Sequence, residues 1–242
     1  IRMSYRTFIR TIIVNILMLS ILFFDTIVYS KERIISKHEY KLYKGSILFG
    51  ESIYILYENN GGYTFEIKSN TAGVFEIKKD ERIEVSSFSI TDNIISPLYY
   101  SFERTKKDRN ISIKTFFNPA DNYAQTIDQK EKKEHIDIPY SLDRLSVQID
   151  FQNEMKRGLF EKDYHVIDKG RLREYSFMLH GDEVLDTIFG KTNTIIIKRK
   201  IKNNKRSTLT WYAIDHDYIP VKIEQYRKNS HKFTVILNSI IR

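Results

Sequence analysis

The stretch SILFGESIYILYENNGGYTFEIKS, Ser46 to Ser69, decides how the rest of the chain is read. Its first half is rich in the β-branched and aromatic residues that suit a pleated surface. The run Asn59-Asn60-Gly61-Gly62 then supplies side chains that tolerate positive φ, which is the signal of a tight hairpin. Beyond it, Tyr63, Phe65 and Ile67 fall on one face and Thr64, Glu66 and Lys68 on the other. A period of two with one apolar face is a half-buried antiparallel strand. Gly50, inside the first run, marks a bulge or a close approach of another backbone.

The same pattern recurs along the chain. NTAG (Asn70 to Gly73) turns into VFEIK, read as a further strand segment, and RIEVSSFSI (Arg82 to Ile90) follows. LYYSFERT and ISIKTFF flank the polar tip KKDRN, Lys106 to Asn110. After Gly158 the alternation continues through DYHVID, LREYSFML, TNTIIIKRKI, STLTWYAI, YIPVKIEQYR and HKFTVIL. Pro220 within one of these runs predicts an edge or a bulge, because proline cannot donate to a ladder. Two segments break the rhythm. Asn118 to Pro139 is polar and charge-rich and reads as a long exposed loop. Ser141 to Gly158 alternates at Leu145, Val147, Ile149 and Phe151 like a strand, yet carries a serine at its start, basic residues near its end and a glycine stop. The second set of signals predicts a helix from Leu142 to Arg157. About a dozen strands with one inserted helix define an all-β, mainly antiparallel fold, which at that strand number curls into an incomplete barrel or folded sheet. The helix is expected against one opening.

The chain has 242 residues, a formal charge of +8 and no cysteine. Disulfides, thiolate metal sites and cysteine nucleophiles are thereby excluded. At the start, Arg2, Arg6 and Arg10 precede the apolar run Thr11 to Phe24, and Val28 and Ser30 occupy the −3 and −1 positions of a cleavage site before Lys31. A basic region, a short apolar core and small residues make a secretory signal peptide over residues 1–30, with 31–242 as a single exported, periplasmic β-domain. The alternative is an uncleaved inner-membrane anchor, but the apolar run is shorter than the roughly 20 residues a span needs. Ile1 stands first, with Met3 as the expected initiator. Removing three arginines and Asp25 leaves the domain at +6, a charge suited to an anionic membrane surface or an acidic partner. Nucleic acid would satisfy the same charge, and export argues against it.

Candidate sites are sparse. Asp215-His216-Asp217 could be a metal or catalytic triplet, but on an extended backbone His216 faces away from both aspartates, and Asp favours turns for its own reasons. The reading here is a turn. His38, His135, His165, His180 and His231 are scattered and predict surface or strand-end positions. Asp182, Glu183 and Asp186 form the densest acidic group and read as a solvated turn after Gly181. No nucleophile elbow, phosphate loop or zinc-ligand spacing occurs, so no catalytic, metal or cofactor residue is assigned. Two basic clusters, Glu103 to Arg109 and Lys198 to Arg206, belong at hairpin tips. They either guard strand edges or meet anionic headgroups, in which case Lys198, Lys200 and Lys202 make the contact. The 15 phenylalanines, 16 tyrosines and Trp211 are either core or the lining of a cavity. If a cavity exists, the alternation puts Tyr54, Phe65, Phe177 and Trp211 on its wall.

DRLS (Asp143 to Ser146), YHVIDKGRLREYSF (Tyr164 to Phe177), GDEVLDTIFGKTNTIIIKR (Gly181 to Arg199) and TWYAIDHDYIPVKIEQ (Thr210 to Gln225) resemble the exported proteins grouped as domain of unknown function 3108. YKGSILFGE (Tyr43 to Glu51) and SPLYYSFER (Ser96 to Arg104) extend the likeness to nearly the whole chain after residue 30. In that family the turn after the tryptophan is short and acidic or proline-bearing; here it contains His216. The resemblance implies an envelope protein and supplies no catalytic residues. Three readings follow: a non-catalytic binding module for a lipid-like or amphipathic envelope molecule, a structural or protein-interaction factor of the envelope, and a hydrolase of an envelope polymer. The first is the leading expectation.

Overall fold

The computed structural model describes residues 32–241 apart from 60, 78, 108 and 130. The signal segment expected over 1–30, with its cleavage point before Lys31, lies outside the described residues. The chain begins as an uninterrupted meander: β1 (Arg33–Lys44), β2 (Ile47–Asn59), β3 (Gly62–Thr71), β4 (Asp80–Thr91), β5 (Ile94–Lys106), β6 (Arg109–Asn118), β7 (Tyr123–Asp128) and β8 (Glu131–His135). A short β9 (Ser141–Asp143) and the helix α1 (Ser146–Lys156) interrupt it. A second meander follows in β10 (Lys162–Asp168), β11 (Arg171–Thr187), β12 (Gly190–Ile201), β13 (Arg206–Ala213), β14 (Ile219–Arg227) and β15 (Ser230–Ile241). All fifteen strands form one sheet in the order β8 to β1, then β15 to β9. Every ladder is antiparallel except β9 with β10.

The first and last long strands pair in the middle of the sheet, Tyr40 opposite Leu237 and Leu42 opposite Val235. The open seam lies instead between β8 and β9, inside the sequence. The sheet twists until β9 and α1 reach β4 and β5, and side chains bridge the gap. Ser86 of β4 donates to the Asp143 carboxylate at 2.7 Å, and Tyr140 donates to the Ile95 carbonyl. Strand handedness makes such coiling the default for a sheet this wide.

Antiparallel connection fixes which hairpins share an end. The β1–β2, β3–β4, β5–β6, β7–β8, β10–β11, β12–β13 and β14–β15 connections lie at one end, called the lysine end for reasons given below. The β2–β3, β4–β5, β6–β7, β11–β12 and β13–β14 connections lie at the other, the helix end, because Gln152 and Lys156 of α1 reach Asp217 of the β13–β14 turn. The hairpins read from NNGG and KKDRN are present. Gly50 lies where another backbone approaches: a Cβ there would stand 2.8 Å from the Asn70 carbonyl oxygen. Pro220 sits at the bulge between Trp211 and Tyr212.

Four expectations need correction. The segment 118–139 is not a loop but carries β7 and β8; Ala124 and Thr126 face inward at period two, and the charges of Glu131 to Glu134 keep the outermost strand soluble. VFEIK is not a strand: Gly73, with φ of +62°, opens a 3₁₀ turn that leaves Val74 and Ile77 in solvent. The helix starts at Ser146 rather than Leu142, because Ser141 to Asp143 pairs in parallel with β10. Asp182, Glu183 and Asp186 stand in β11, after a bulge at Gly181, rather than in a turn.

The DRLS stretch explains the helix start. The Asp143 carboxylate accepts the Leu145 and Ser146 N–H groups at 2.7 and 3.0 Å, while the Ser146 hydroxyl accepts the Asp143 N–H at 2.9 Å. This reciprocal pairing satisfies donors that a helix N-terminus leaves free. Leu145, Val147, Phe151 and Met155 then bury one face against Tyr164, Tyr175 and Phe177, with Phe151 stacked on Phe177 at 4.4 Å between ring centroids. Each such side chain contributes roughly 1.5 to 3 kcal/mol when fully buried. Asp150 and Glu154 are also buried on α1 and are held by Tyr164, Lys162 and Arg157.

Candidate functional site

Alternation along the strands turns one face of the sheet inward, and helix α1 does not fill the space it encloses. A cavity of about 660 Å³ results. Strand periodicity can be read directly from its wall: Tyr54 and Leu56 of β2, Phe65, Ile67 and Ser69 of β3, Asp80, Arg82 and Glu84 of β4, Ile197 and Arg199 of β12, and Thr208, Thr210 and Tyr212 of β13. The helix contributes Gln148, Ile149, Gln152 and Asn153, the i, i+1, i+4, i+5 face opposite its buried stripe.

The wall has two chemistries. Tyr40, Tyr54 and Phe65 form a continuous aromatic row, with centroid separations of 4.4 and 6.1 Å. Tyr40 donates to the Pro220 carbonyl at 3.1 Å. Burial pushes the Tyr212 hydroxyl up to about 12 and Tyr54 higher still, so both stay neutral donors. His38, at the edge of this row, is held below the ordinary histidine value by burial and is neutral at physiological pH.

The other part of the wall is charged. Asp80 is clamped by Arg104 at 2.5 Å and Arg82 at 3.1 Å, and the hydrogen bond from Arg104 leads the effects that hold its carboxyl far below the usual range. Glu84 accepts Tyr100 at 2.8 Å. Arg199 donates to Thr208 at 3.0 Å and lies over the Tyr175 ring. Arg144 differs from these. Carried on the β9–α1 connection, its side chain is 28% exposed, and Glu84 and Asp168 stand 3.7 and 3.5 Å away. Its guanidinium donates no hydrogen bond to any described residue. Burial works against its charge, but Glu84, Tyr100 and Asp168 outweigh that and keep it protonated. A planar fork of five donors on a cavity wall is suited to a carboxylate or phosphate.

The residues expected on a cavity wall divide. Tyr54, Phe65 and Phe177 line it. Trp211 does not: its neighbours Thr210 and Tyr212 point inward, so the indole points the other way, where it donates to Glu183 at 2.7 Å beneath Lys222. Lys198 and Lys200 flank the inward Arg199 and therefore face away from the cavity, while Lys202, at the strand end, is paired with Glu174 at 2.7 Å. The inward cations of the strands are the arginines Arg82 and Arg199 instead. Asp215, His216 and Asp217 form a turn in which His216 stacks on Phe189 at 3.8 Å. Among the described residues no three His, Asp or Glu side chains are grouped to hold a metal. His135 ends β8, a strand-end position, and is buried there with Nε2 unpartnered. Among the cavity residues that sequence reasoning missed is Arg144, which the mixed polar and apolar run Ser141 to Ser146 does not single out.

A single curled sheet whose open seam is sealed by side chains defines the class of β-barrel-like proteins. Within it, the chain belongs to the family described as proteins of unknown function, DUF3108, whose pattern matches residues 39–237. It is similar to a crystallised β-barrel-like protein of domain of unknown function DUF1849 from Brucella abortus, with a TM-score of 0.58 at 8% identity over 85% of this chain and 96% of that one. A Bacteroides fragilis protein with a YmcC-like fold aligns at 13% identity over 86% of this chain and 95% of that one, with a TM-score of 0.35. No curated protein matches the chain.

Proposed function

We propose that this is an exported, non-catalytic binding protein whose cavity takes an amphipathic molecule with an anionic head. The observation that carries the reading is Arg144, a charged fork that donates no hydrogen bond to a described residue, on the wall of a cavity of about 660 Å³ that joins an aromatic and aliphatic part to a polar one. Known ligand pockets span roughly 300 to 1,000 Å³. An acyl chain lies along Tyr40, Tyr54 and Phe65, and its carboxylate or phosphate meets Arg144. Export is supported by the basic, apolar and small-residue order of residues 1–30. No helix among the described residues is long and apolar enough to cross a membrane. The carboxylates on the wall favour binding over hydrolysis: Asp80 is clamped by two arginines, Glu84 accepts Tyr100 and stands beside Arg144, and Asp217 stands beside Lys156, so each is already engaged by a neighbour.

The test is saturable binding of a fluorescent fatty acid by the wild type and by Arg144→Met. Micromolar binding, weakened at least about tenfold by the substitution at unchanged thermal stability, supports the reading; a lost charge-assisted pair is worth roughly 1.5 to 3 kcal/mol. Absence of saturable binding by the wild type shifts the assignment to an envelope protein-interaction factor.

A further inference from the structure

The two ends of the barrel differ in charge to a degree that composition alone conceals. At one end, six of the seven hairpin connections contain lysine, among them the exposed Lys79, Lys107, Lys205 and Lys228. The seventh, Gly45-Ser46, follows the exposed Lys44. The five hairpin connections at the opposite end contain neither lysine nor arginine, and Asp92, Asp121, Asp215 and Asp217 lie in them. Alternating connections of a meander are what sort the tips in this way, so every second turn of the sequence contributes to one surface.

The lysine end also carries the most exposed large apolar side chains among the described residues. Val74 is 76% exposed and Ile77 93%, both in the β3–β4 connection. The loop is anchored at its root, where the Ala72 N–H donates to the Phe49 carbonyl at 3.1 Å. Val74 lies in the 3₁₀ turn Gly73–Phe75 and Ile77 two residues beyond it, both in the exposed part of the loop. Phe49, Asn70 and Thr71, beside that root, line the cavity. Glu76 is the one acidic residue at the tip; Asp80 at its end is already neutralised by Arg82 and Arg104.

We propose that the lysine end is a membrane-docking face: the tip of the β3–β4 loop inserts Val74 and Ile77 below the headgroups of a leaflet containing anionic phospholipid, and the ring of lysine tips holds the headgroups. Charge and apolar insertion together are what peripheral binding requires, since either alone gives weak and reversible attachment. A soluble polyanion would use the lysines but leaves the two apolar side chains without a purpose. Docking in this orientation turns the Phe49 and Thr71 side of the cavity towards the leaflet. The inference stands on the outer surface and is independent of what the cavity holds.

The chain has no cysteine, so one can be placed at will. The full chain carrying Ile77→Cys is labelled with an environment-sensitive dye, and Asn93→Cys, at the tip of the β4–β5 hairpin on the opposite end, serves as the control. Vesicles of phosphatidylcholine containing about one quarter phosphatidylglycerol are expected to shift the Ile77 probe to the blue and leave the Asn93 probe unchanged. Salt at about 0.5 M should weaken the response, because exposed charges are then screened within a few ångströms. Reversing Lys79, Lys205 and Lys228 to glutamate should weaken partitioning by at least about tenfold, each basic residue being worth roughly fivefold. The proposal is overturned by an unresponsive Ile77 probe, by equal shifts at both positions, or by an Ile77 shift on pure phosphatidylcholine that neither salt nor charge reversal alters. A response to heparin without one to vesicles equally overturns it and makes the face a polyanion site. None of these readouts involves the fatty-acid assay, so the two readings fail separately.

Discussion

Asp143 and Ser86 meet at 2.7 Å across the one place where the sheet is not closed by backbone. The carboxylate is fully buried and serves the seam and the helix start together, accepting Ser86 from β4 and the N–H groups of Leu145 and Ser146. Asp143→Ala strands all of these donors and should cost on the order of 3 kcal/mol in urea unfolding. Asp143→Asn keeps an acceptor for the helix N–H groups, and the serine hydroxyls can turn to accept from its amide, so it should cost less than half as much. Equal losses for the two substitutions would show that volume, not hydrogen bonding, sets the seam.

Asp80 makes stability acid-sensitive. Its pairing with Arg104 and Arg82 depresses its folded pKa below the ordinary carboxylate value, so its contribution is complete above that value and is lost as pH falls below about 4. Burial raises Asp143 instead, which gives it the opposite sign, in the range above the ordinary carboxylate value. Asp143 is common to wild type and Asp80→Asn, so the difference between them isolates Asp80. The stability gap should be largest near neutrality and narrow steadily from about pH 4 downwards, as measured by denaturant titration at each pH. A gap that stays constant through this range would mean that the clamp does not shift Asp80.

Gly50 is the position at which β2 and β3 come too close for a side chain. A Cβ would lie 2.8 Å from the Asn70 carbonyl oxygen, a backbone atom that cannot step aside alone. Gly50→Ala should destabilise by about 1 to 3 kcal/mol, the usual cost of overpacking. Gly45→Ala is the contrast, since nothing lies within 4 Å of its Cβ position and only its positive φ opposes the change.

Much of this architecture was legible because a strand's period is local. Tyr54, Phe65 and Phe177 were assigned to the inner face from alternation alone, and they line the cavity. Trp211 was misplaced because alternation separates the two faces of a strand without saying which of two adjacent aromatics, Trp211 or Tyr212, is the inward one. Helix α1 was legible as a helix from its ends, but its first turn was overrun, since Leu142 is claimed by a parallel ladder to residues more than twenty positions away. Arg144 could not be recognised as a cavity residue from sequence, because what distinguishes it is distance from the carboxylates of β4 and β10. The sorting of lysine tips to one end is written in the sequence, yet it becomes visible only when successive hairpins are assigned to alternate ends.

His216 is held by a ring, not by a metal. It stacks on Phe189 at 3.8 Å with 10° between the planes, within a turn closed by Ile219 N–H on its own carbonyl at 2.9 Å. His216→Ala should cost about 0.5 to 1 kcal/mol, the worth of an aromatic contact. Chelator should leave the Tm of the wild type unchanged, and a fall of several degrees that the substitution abolishes would restore a metal to this turn.

The cavity can be closed without touching its charge. Ile67 lies on the wall directly across the β2–β3 ladder from Tyr54, and its side chain is only partly buried. Ile67→Trp places an indole in space that the protein leaves open, so little neighbouring structure has to move and the loss in stability should stay within about 1.5 kcal/mol, as for tolerated core changes. Ile53 is the matched control: it sits on β2 between the inward Ser52 and Tyr54, so its side chain points away from the cavity. In displacement of a fluorescent fatty acid, Ile67→Trp should bind at least about tenfold more weakly than wild type, while Ile53→Trp binds as wild type does. A tenfold change corresponds to about 1.4 kcal/mol, well above the scatter of such assays. Unchanged binding by Ile67→Trp would place the fatty acid outside the barrel, on the lysine end or its apolar loop. The same measurement on Arg144→Met then separates the two parts of the wall: loss with the methionine variant but not with the tryptophan variant leaves the arginine as a surface anion site, and loss with both places head and tail inside.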